Sequence, residues 1–334
     1  MAQKKYLFGL NLLGGVIGWA AIALGAQQME SLAVGFSSLA GHHTPMWIAV
    51  EERIGRKYGI DLKAIYAGRL RPQQLLASGD VPMVVATGSG AVTSHVLGSK
   101  DQVIVAINMN KVGGGIFSKS EIKTAEDLRG KTIGVSRAGS ISEVILRYVL
   151  RAKLGLQPDR DVKFLVVGDP AVGLQALERG IVDATPITMP LPLIAAKMGF
   201  RELVNYDALG ITFPANTVTT LRQTIARRPD LIESFLKILI EGIYIFKTNK
   251  AKSLAVMKKN LAGASDEILE ETYRYTASVL ESQPNPSLEV IKSGLEILAY
   301  QYPQAKQTDP NPIIDTSFVR RLDQSGFIAG LYRK

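Results

Sequence analysis

Beyond residue 31 the chain alternates short apolar runs with stretches whose apolar positions recur every three or four residues. The runs at 32–36, 61–66, 83–86 and 103–109 have strand length and carry β-branched or aromatic side chains, which predicts strands. Between them, 46–58, 72–78 and 91–97 predict helices, the first two closed by Gly59 and Gly79. Glycine readily takes the left-handed conformation that ends a helix. Thr87-Gly88-Ser89-Gly90 reads as a turn into the third of these helices. Such strand–helix alternation implies parallel strands joined by helical crossovers.

A second series begins near Gly113-Gly114-Gly115. A polar loop over 118–124 and a helical turn over 125–128 precede a strand at 132–135. Ser140 and Glu143 stand at capping-box spacing and predict a helix from 140 to 154, stopped at Gly155. Further strands are predicted at 162–167, 184–186 and 202–205, and helices at 171–179 and 190–198. The β-rich run 213–221 reads as the return of the chain to the first unit. From Pro229, well suited to a first helical position, the pattern is helical over 229–248, 250–261, 266–281 and 287–300. A Pro-rich loop at 302–312 and a short helix at 315–324 follow.

This organisation implies two α/β lobes. Residues 31–112 plus 219–334 form the first, and 113–218 form a second inserted into it. Crossings near 110–117 and 213–220 would act as a hinge. Landmarks recur between the lobes: Gly35 and Gly134 are 99 apart, Gly79 and Gly180 are 101 apart, and Gly98 and Gly199 are 101 apart. A period near 100 exceeds that of solenoid repeats, roughly 20 to 50 residues, and suits two lobes of one plan. Paired lobes leave a cleft, where small ligands bind.

The N-terminus reads differently. Lys4 and Lys5 are followed by no charged residue until Glu30, and 7–26 is apolar or small apart from Asn11. Small residues at 23–26 offer a cleavage site, so 1–27 is read as a secretory signal peptide. The apolar run approaches the ~20 residues that span a bilayer, which leaves an uncleaved anchor as the alternative. Either way the body is exported, with a periplasmic location expected. The chain has no Cys, which excludes disulfides, thiolate nucleophiles, zinc–thiolate sites and a lipid-anchored lipoprotein. Its net charge of +9 comes from scattered Lys and Arg without an aromatic-interleaved basic block, so no nucleic-acid partner is expected.

Several segments point to a family. They are Val34-Gly35-Phe36, the stretch 45–51 with Trp47 and Ala49, Tyr58-Gly59-Ile60-Asp61-Leu62, and Leu76-Ala77-Ser78-Gly79-Asp80. The run 122–135 with Gly139-Ser140 behind it is the most specific; 177–184, with Gly180 and Asp183, and Ser325-Gly326-Phe327-Ile328 complete the set. On these residues the exported chain resembles, over essentially its whole length, the periplasmic substrate-binding proteins of ABC transporters. The group is that of nitrate, sulfonate, taurine and thiamine-pyrimidine binders. Pro82 departs from the pattern, where Asp is usual. The resemblance implies an α/β, two-lobed periplasmic binding protein type II fold with a hinge and an interlobe cleft. It also implies a non-enzymatic monomer without cofactor or metal, which captures a small anionic or polar organic ligand and delivers it to an ABC transporter permease.

The resemblance places the ligand between the lobes at the carboxyl ends of parallel strands, in agreement with the general rule for open α/β sheets. Four loops qualify. The first carries Ser37, Ser38, His42, His43, Thr44 and Trp47, the last able to cover an apolar group. The second carries Thr87, Ser89 and Gly90; the third, Gly139, Ser140 and Ser142; the fourth, Thr188 and Met189. Asn108, near the end of its strand, is grouped with them. The second and third loops are small-residue turns into helix N-termini, where free N–H groups and the helix dipole favour an anion. Ordinary N-capping is the other role open to each serine. His42 and His43 are adjacent and His95 lies elsewhere, so a hydrogen-bonding role is expected rather than a metal site. Gly88-Ser89-Gly90 lacks the Lys and spacing of a phosphate loop. Two other classes remain open. One is a thiamine-pyrimidine synthase-like enzyme on the same fold, whose relatives use a Cys-rich iron motif that this chain lacks. The other is a ligand-sensing receptor for a membrane signalling protein.

Overall fold

The computed structural model describes residues 29–67, 72–136, 140–168, 170–189 and 191–333. The expected signal peptide and the candidate Gly139 lie outside these residues. Among these residues ten strands form two five-stranded mixed sheets. The first contains β1 (Glu30–Phe36), β2 (Ile60–Tyr66), β3 (Met83–Ala86), β4 (Gln102–Lys111) and β10 (Thr212–Leu221), in the order β2-β1-β3-β10-β4. The second contains β5 (Gly115–Ser118), β6 (Thr132–Val135), β7 (Lys163–Val166), β8 (Ala184–Ile187) and β9 (Arg201–Asn205), in the order β7-β6-β8-β5-β9.

The two orders are one plan used twice. In each sheet three strands run parallel, and the fourth position is held by a strand that has just crossed from the other lobe, lying antiparallel to both neighbours. The echoed glycines occupy equivalent turns: φ is +81° at Gly79 and +70° at Gly180, and +95° at Gly98 and +84° at Gly199. Those left-handed values are accessible to glycine at little cost. The return crossing, expected over 213–220, is complete before Thr212, since β10 lies wholly in the first sheet against β3 and β4.

In the first lobe α1 (Thr44–Glu51), α2 (Pro72–Ser78) and α3 (Ser89–Val96) are the crossovers. In the second, α4 (Ile141–Tyr148), α5 (Pro170–Glu178) and α6 (Leu191–Lys197) play that part. The C-terminal third is helical: α7 (Arg222–Arg227), α8 (Pro229–Thr248), α9 (Lys250–Asn260), α10 (Asp266–Val279), α11 (Leu288–Leu298), α12 (Ser317–Gln324) and α13 (Phe327–Tyr332). Helices α1, α8, α9 and α10 cover one face of the first sheet, with Ile48, Phe235, Leu239, Phe246 and Met257 in their core. Its other face shares a core with α11 and with α4 of the second lobe, through Ile104, Ile107, Leu295, Leu298, Ile145 and Leu146.

Several elements differ from expectation. The helix expected over 46–58 is broken: α1 stops at Glu51, Arg53 takes φ +51°, and a 3-10 turn follows at Ile54–Tyr58. A Cβ at Gly55 would lie 2.5 Å from the Ile60 carbonyl oxygen, so the chain doubles back tightly to start β2. Strand β5 falls in a stretch whose glycines suggested only a crossing; Gly115 packs so closely on β9 that a Cβ there would lie 2.0 Å from the Val204 oxygen. Helices α7 and α13 add ends that periodicity over six residues is too short to reveal.

Candidate ligand-binding site

Pairing across the first sheet sets one row level: Phe36 with Val85, Val85 with Val218, and Val218 with Ala106. All four face the core beneath α1 and α8. Side chains two residues apart on a strand share a face. Two positions farther in the same direction stand Ser38, Thr87, Asn216 and Asn108, the first two just past the ends of β1 and β3. An apolar core thus gives way, at this end of the sheet, to uncharged polar residues. Thr217 pairs with Ile107 and Asn216 with Met109, so Asn108 is the extra residue of a bulge. Bulges re-aim side chains and gather beside functional sites.

The helical layer supplies the opposite wall. A 3-10 turn at Gly41–His43 leads into α1, and Gly41 fits so tightly under α10 that a Cβ would lie 2.5 Å from Thr272. Gly242 of α8 meets α1 in the same way, its missing Cβ 2.2 Å from the Pro45 oxygen. These contacts fix His43 and Thr44, 1% and 0% exposed. His43 Nε2 lies 3.4 Å from Ser37 Oγ, and the His42 and His43 rings stand 4.3 Å apart. Burial pushes the His42 imidazole down to about 4 and holds His43 well below the usual range, aided by the neighbouring ring, so both are neutral at pH 7. Phe36 joins the imidazoles to an aromatic wall: its ring is 5.3 Å from His43, 6.1 Å from Trp47 and 5.4 Å from Tyr66. Trp47 is 4% exposed and belongs to the core behind that wall.

The polar groups of this region share an unusual property. Among the described residues nine buried side-chain polar atoms lack a hydrogen-bond partner, and six of them belong to His43, Thr44, Asn108 and Asn216. Buried polar groups are ordinarily paired, and unpaired atoms on these four residues mark a place built to meet something else.

The remaining candidates sit at the other strand ends. Thr87 Oγ1 accepts from the Ser89 N–H at 3.4 Å, and Ser89 is buried at the start of α3. Gly90 leaves room for Gln73, whose Nε2 a Cβ would approach to 2.1 Å. In the second lobe Ser140 caps α4, its Oγ accepting from the Glu143 N–H at 3.3 Å. Ser142 links it to Ser136, with Oγ–Oγ distances of 3.1 and 3.0 Å. Thr188 and Met189 are partly exposed in the turn after β8, and Gly114 presses on that turn with φ +107°. Sequence reasoning missed Asn216, Tyr66 and Ser136. Asn216 had one signal, a carboxamide within an otherwise β-branched and apolar strand. Among the described residues no group of three or more His, Cys, Asp or Glu could hold a metal.

Around this region the lobes touch. Lys197 of α6 pairs with Glu267 of α10, and the Tyr275 hydroxyl donates to Asp207 at 3.3 Å. Behind, the Tyr148 and Tyr300 rings meet edge-on at 5.4 Å.

A family model described as NMT1/THI5 like matches residues 41–250, which include the histidine turn, Asn108, the whole second lobe and Asn216. The chain belongs to the NMT1/THI5-like family. A protein of Brucella abortus (strain 2308), named as a binding protein, is 26% identical over 219 residues, or 64% of this chain, and the chain spans 66% of that relative's length. Among solved structures, the alkanesulfonate-binding protein SsuA of Xanthomonas axonopodis pv. citri, bound to MOPS, aligns with TM-score 0.69 and 21% identity over 86% of this chain and 99% of that one. A Candida albicans protein described as having the generic periplasmic binding protein fold aligns with TM-score 0.70 and 16% identity, over 86% of this chain and 97% of that one. The desulfurization enzyme DszB aligns with TM-score 0.66 and 16% identity, over 89% and 99%. At these identities the likeness is one of fold. This NMT1/THI5-like chain has the two-lobed periplasmic binding protein architecture, on which binding proteins and an enzyme are both built.

Proposed function

We propose that this protein is an extracytoplasmic solute receptor that takes one small polar ligand between its lobes and delivers it to an ABC transporter permease. The observation that carries the reading is the cluster of buried, unpaired and uncharged polar atoms on His43, Thr44, Asn108 and Asn216, in the crevice where α/β sheets bind ligands. Ser38, Thr87 and Ser89 border it from the first lobe; Ser140, Ser142, Thr188 and Met189 would close on it from the second. The inventory of hydroxyls, carboxamides and neutral imidazoles suits binding, and the chain has no Cys to serve as a nucleophile. Among the described residues no helix is long and apolar enough to cross a membrane, so in this reading any anchor would lie in the N-terminal segment. A ligand shifts the open–closed balance only by binding the closed form better, and the closed form would present both lobes to the permease.

A thermal-shift screen with nitrate, taurine, alkanesulfonates, pyrimidines, short amides and aromatic carboxylates tests this. Calorimetry and small-angle scattering would follow on any hit. One-to-one binding with a smaller radius of gyration is expected. A folded monomer that responds to none of these classes overturns the reading.

A further inference from the structure

The orphaned atoms also constrain the ligand's chemistry. Asn108 and Asn216 each leave both an amide nitrogen and an amide oxygen without a partner, and both residues are at most 1% exposed. A carboxamide donates from one end and accepts at the other. A single ligand meets both ends directly when it itself donates and accepts. A deprotonated anion such as nitrate or a sulfonate has no proton to give. It would leave two carboxamide oxygens buried and unmet, a loss of about 5- to 100-fold in affinity for each.

The far edges of the two sheets have the opposite character. The strand order puts Asn108 and Asn216 on β4 and β10, next to the crossings, and places β2 and β7 on the edges farthest from them. The carboxyl ends of those edge strands expose apolar side chains at equivalent positions: Ile65 and Tyr66 on β2, 40% and 45% exposed, and Leu165 and Val166 on β7, 40% and 63% exposed. Tyr66 pairs with Phe36, Val166 pairs with Val135, and the aromatic wall runs from Tyr66 through Phe36 to His43. From β4 to β2 is four strand spacings, roughly 19 Å.

We infer that the ligand is amphipathic, with an amide-like head that both donates and accepts at Asn108 and Asn216, and an apolar body that runs toward the exposed Tyr66 and Val166. This rests on the receptor reading above and names the ligand class for that same site.

Four probes separate head from body: acetamide, decanamide, taurine and decanesulfonate, each titrated into the full-length protein by calorimetry with parallel melting curves. Decanamide, long enough to run from β10 toward β2, is expected to bind at least about tenfold tighter than acetamide, given what eight further methylenes contribute, and at least about fivefold tighter than decanesulfonate, given what an unmet buried carboxamide oxygen costs. Tyr66→Ser with Val166→Ser is expected to weaken decanamide about tenfold more than acetamide. Asn108→Leu with Asn216→Leu is expected to abolish the preference for decanamide over decanesulfonate; should that pair fail to fold, either single leucine variant is expected to reduce it. Decanesulfonate binding as tightly as decanamide overturns the head. Acetamide binding as tightly as decanamide overturns the body. In both cases binding persists and the receptor reading stands. Silence from all four probes and from the wider screen removes the receptor reading as well.

Discussion

At the scale of single residues, Asn108 and Asn216 cost the ligand-free fold something. A buried polar group left unmet is unfavourable by about 1–3 kcal/mol, and apolar groups of similar volume are often better tolerated. Asn216→Leu is therefore expected to raise the ligand-free stability by about 1 kcal/mol in urea unfolding while weakening amide binding at least about fivefold; a fall in stability would show that the carboxamide has partners in the free protein. The buried imidazoles predict a pH dependence. In the unfolded chain each takes a proton near 6.5, whereas burial holds His42 down to about 4 and His43 well below the usual range. The unfolded state then binds more protons over this interval, so stability rises with pH. The contribution is fully present above about pH 7.5 and is lost as pH falls from 6.5 toward 4, with a slope approaching about 1.4 kcal/mol per pH unit for each histidine. His42→Gln with His43→Gln should flatten the melting-temperature profile between pH 4.5 and 6.5 relative to the parent. Coincident profiles would remove the histidines as its cause. Candidates such as His43 and Asn108 were legible because polar residues stood at strand or loop ends in the sequence. Asn216 was not, because only the register of β10 on β4 sets it against Met109, next to the bulged Asn108.

Among elements, most strands and helices follow from periodicity and punctuation: β6 at Thr132–Val135 and α8 at Pro229–Thr248 fall on their expected bounds. What periodicity missed is set by close backbone approaches between parts distant in sequence, as at Gly55 against Ile60 and Gly115 against Val204. The contact that matters most for the site is of this kind. Gly242, in the middle of α8, lets the first turn of α1 lie directly on the helix, with the Pro45 oxygen 2.2 Å from where a Cβ would be. Backbone cannot swing aside as a side chain can. Gly242→Ala is therefore expected to destabilise by about 1–3 kcal/mol despite alanine's better helix propensity. It would also displace His43 and Thr44, so ligand affinity should fall further than stability. Denaturant titration and calorimetry measure the two separately; unchanged stability would mean that α1 is free to lift from α8.

For the whole molecule, the repeated plan was visible in glycines about 100 residues apart, but the seating of one lobe on the other was not. It depends on pairs such as Lys197–Glu267 and Asp207–Tyr275, whose partners belong to different repeats and carry no shared pattern. Those pairs give closure a handle. Lys197 and Glu267 are largely solvated, with side chains 58% and 66% exposed, and exposed ion pairs contribute little, at most about 1 kcal/mol. That is still enough to move a near-balanced equilibrium by up to about fivefold. Lys197→Glu sets two carboxylates against each other and should favour the open form, increasing the radius of gyration of the ligand-free protein in scattering. Adding Glu267→Lys restores an opposite-sign pair and should recover the compact form. High salt, which screens exposed charges, should bring parent and single variant together. If the single variant keeps the parent's radius at low salt, this pair does not hold the lobes, and closure rests on the ligand and on the apolar contact between α4 and α11.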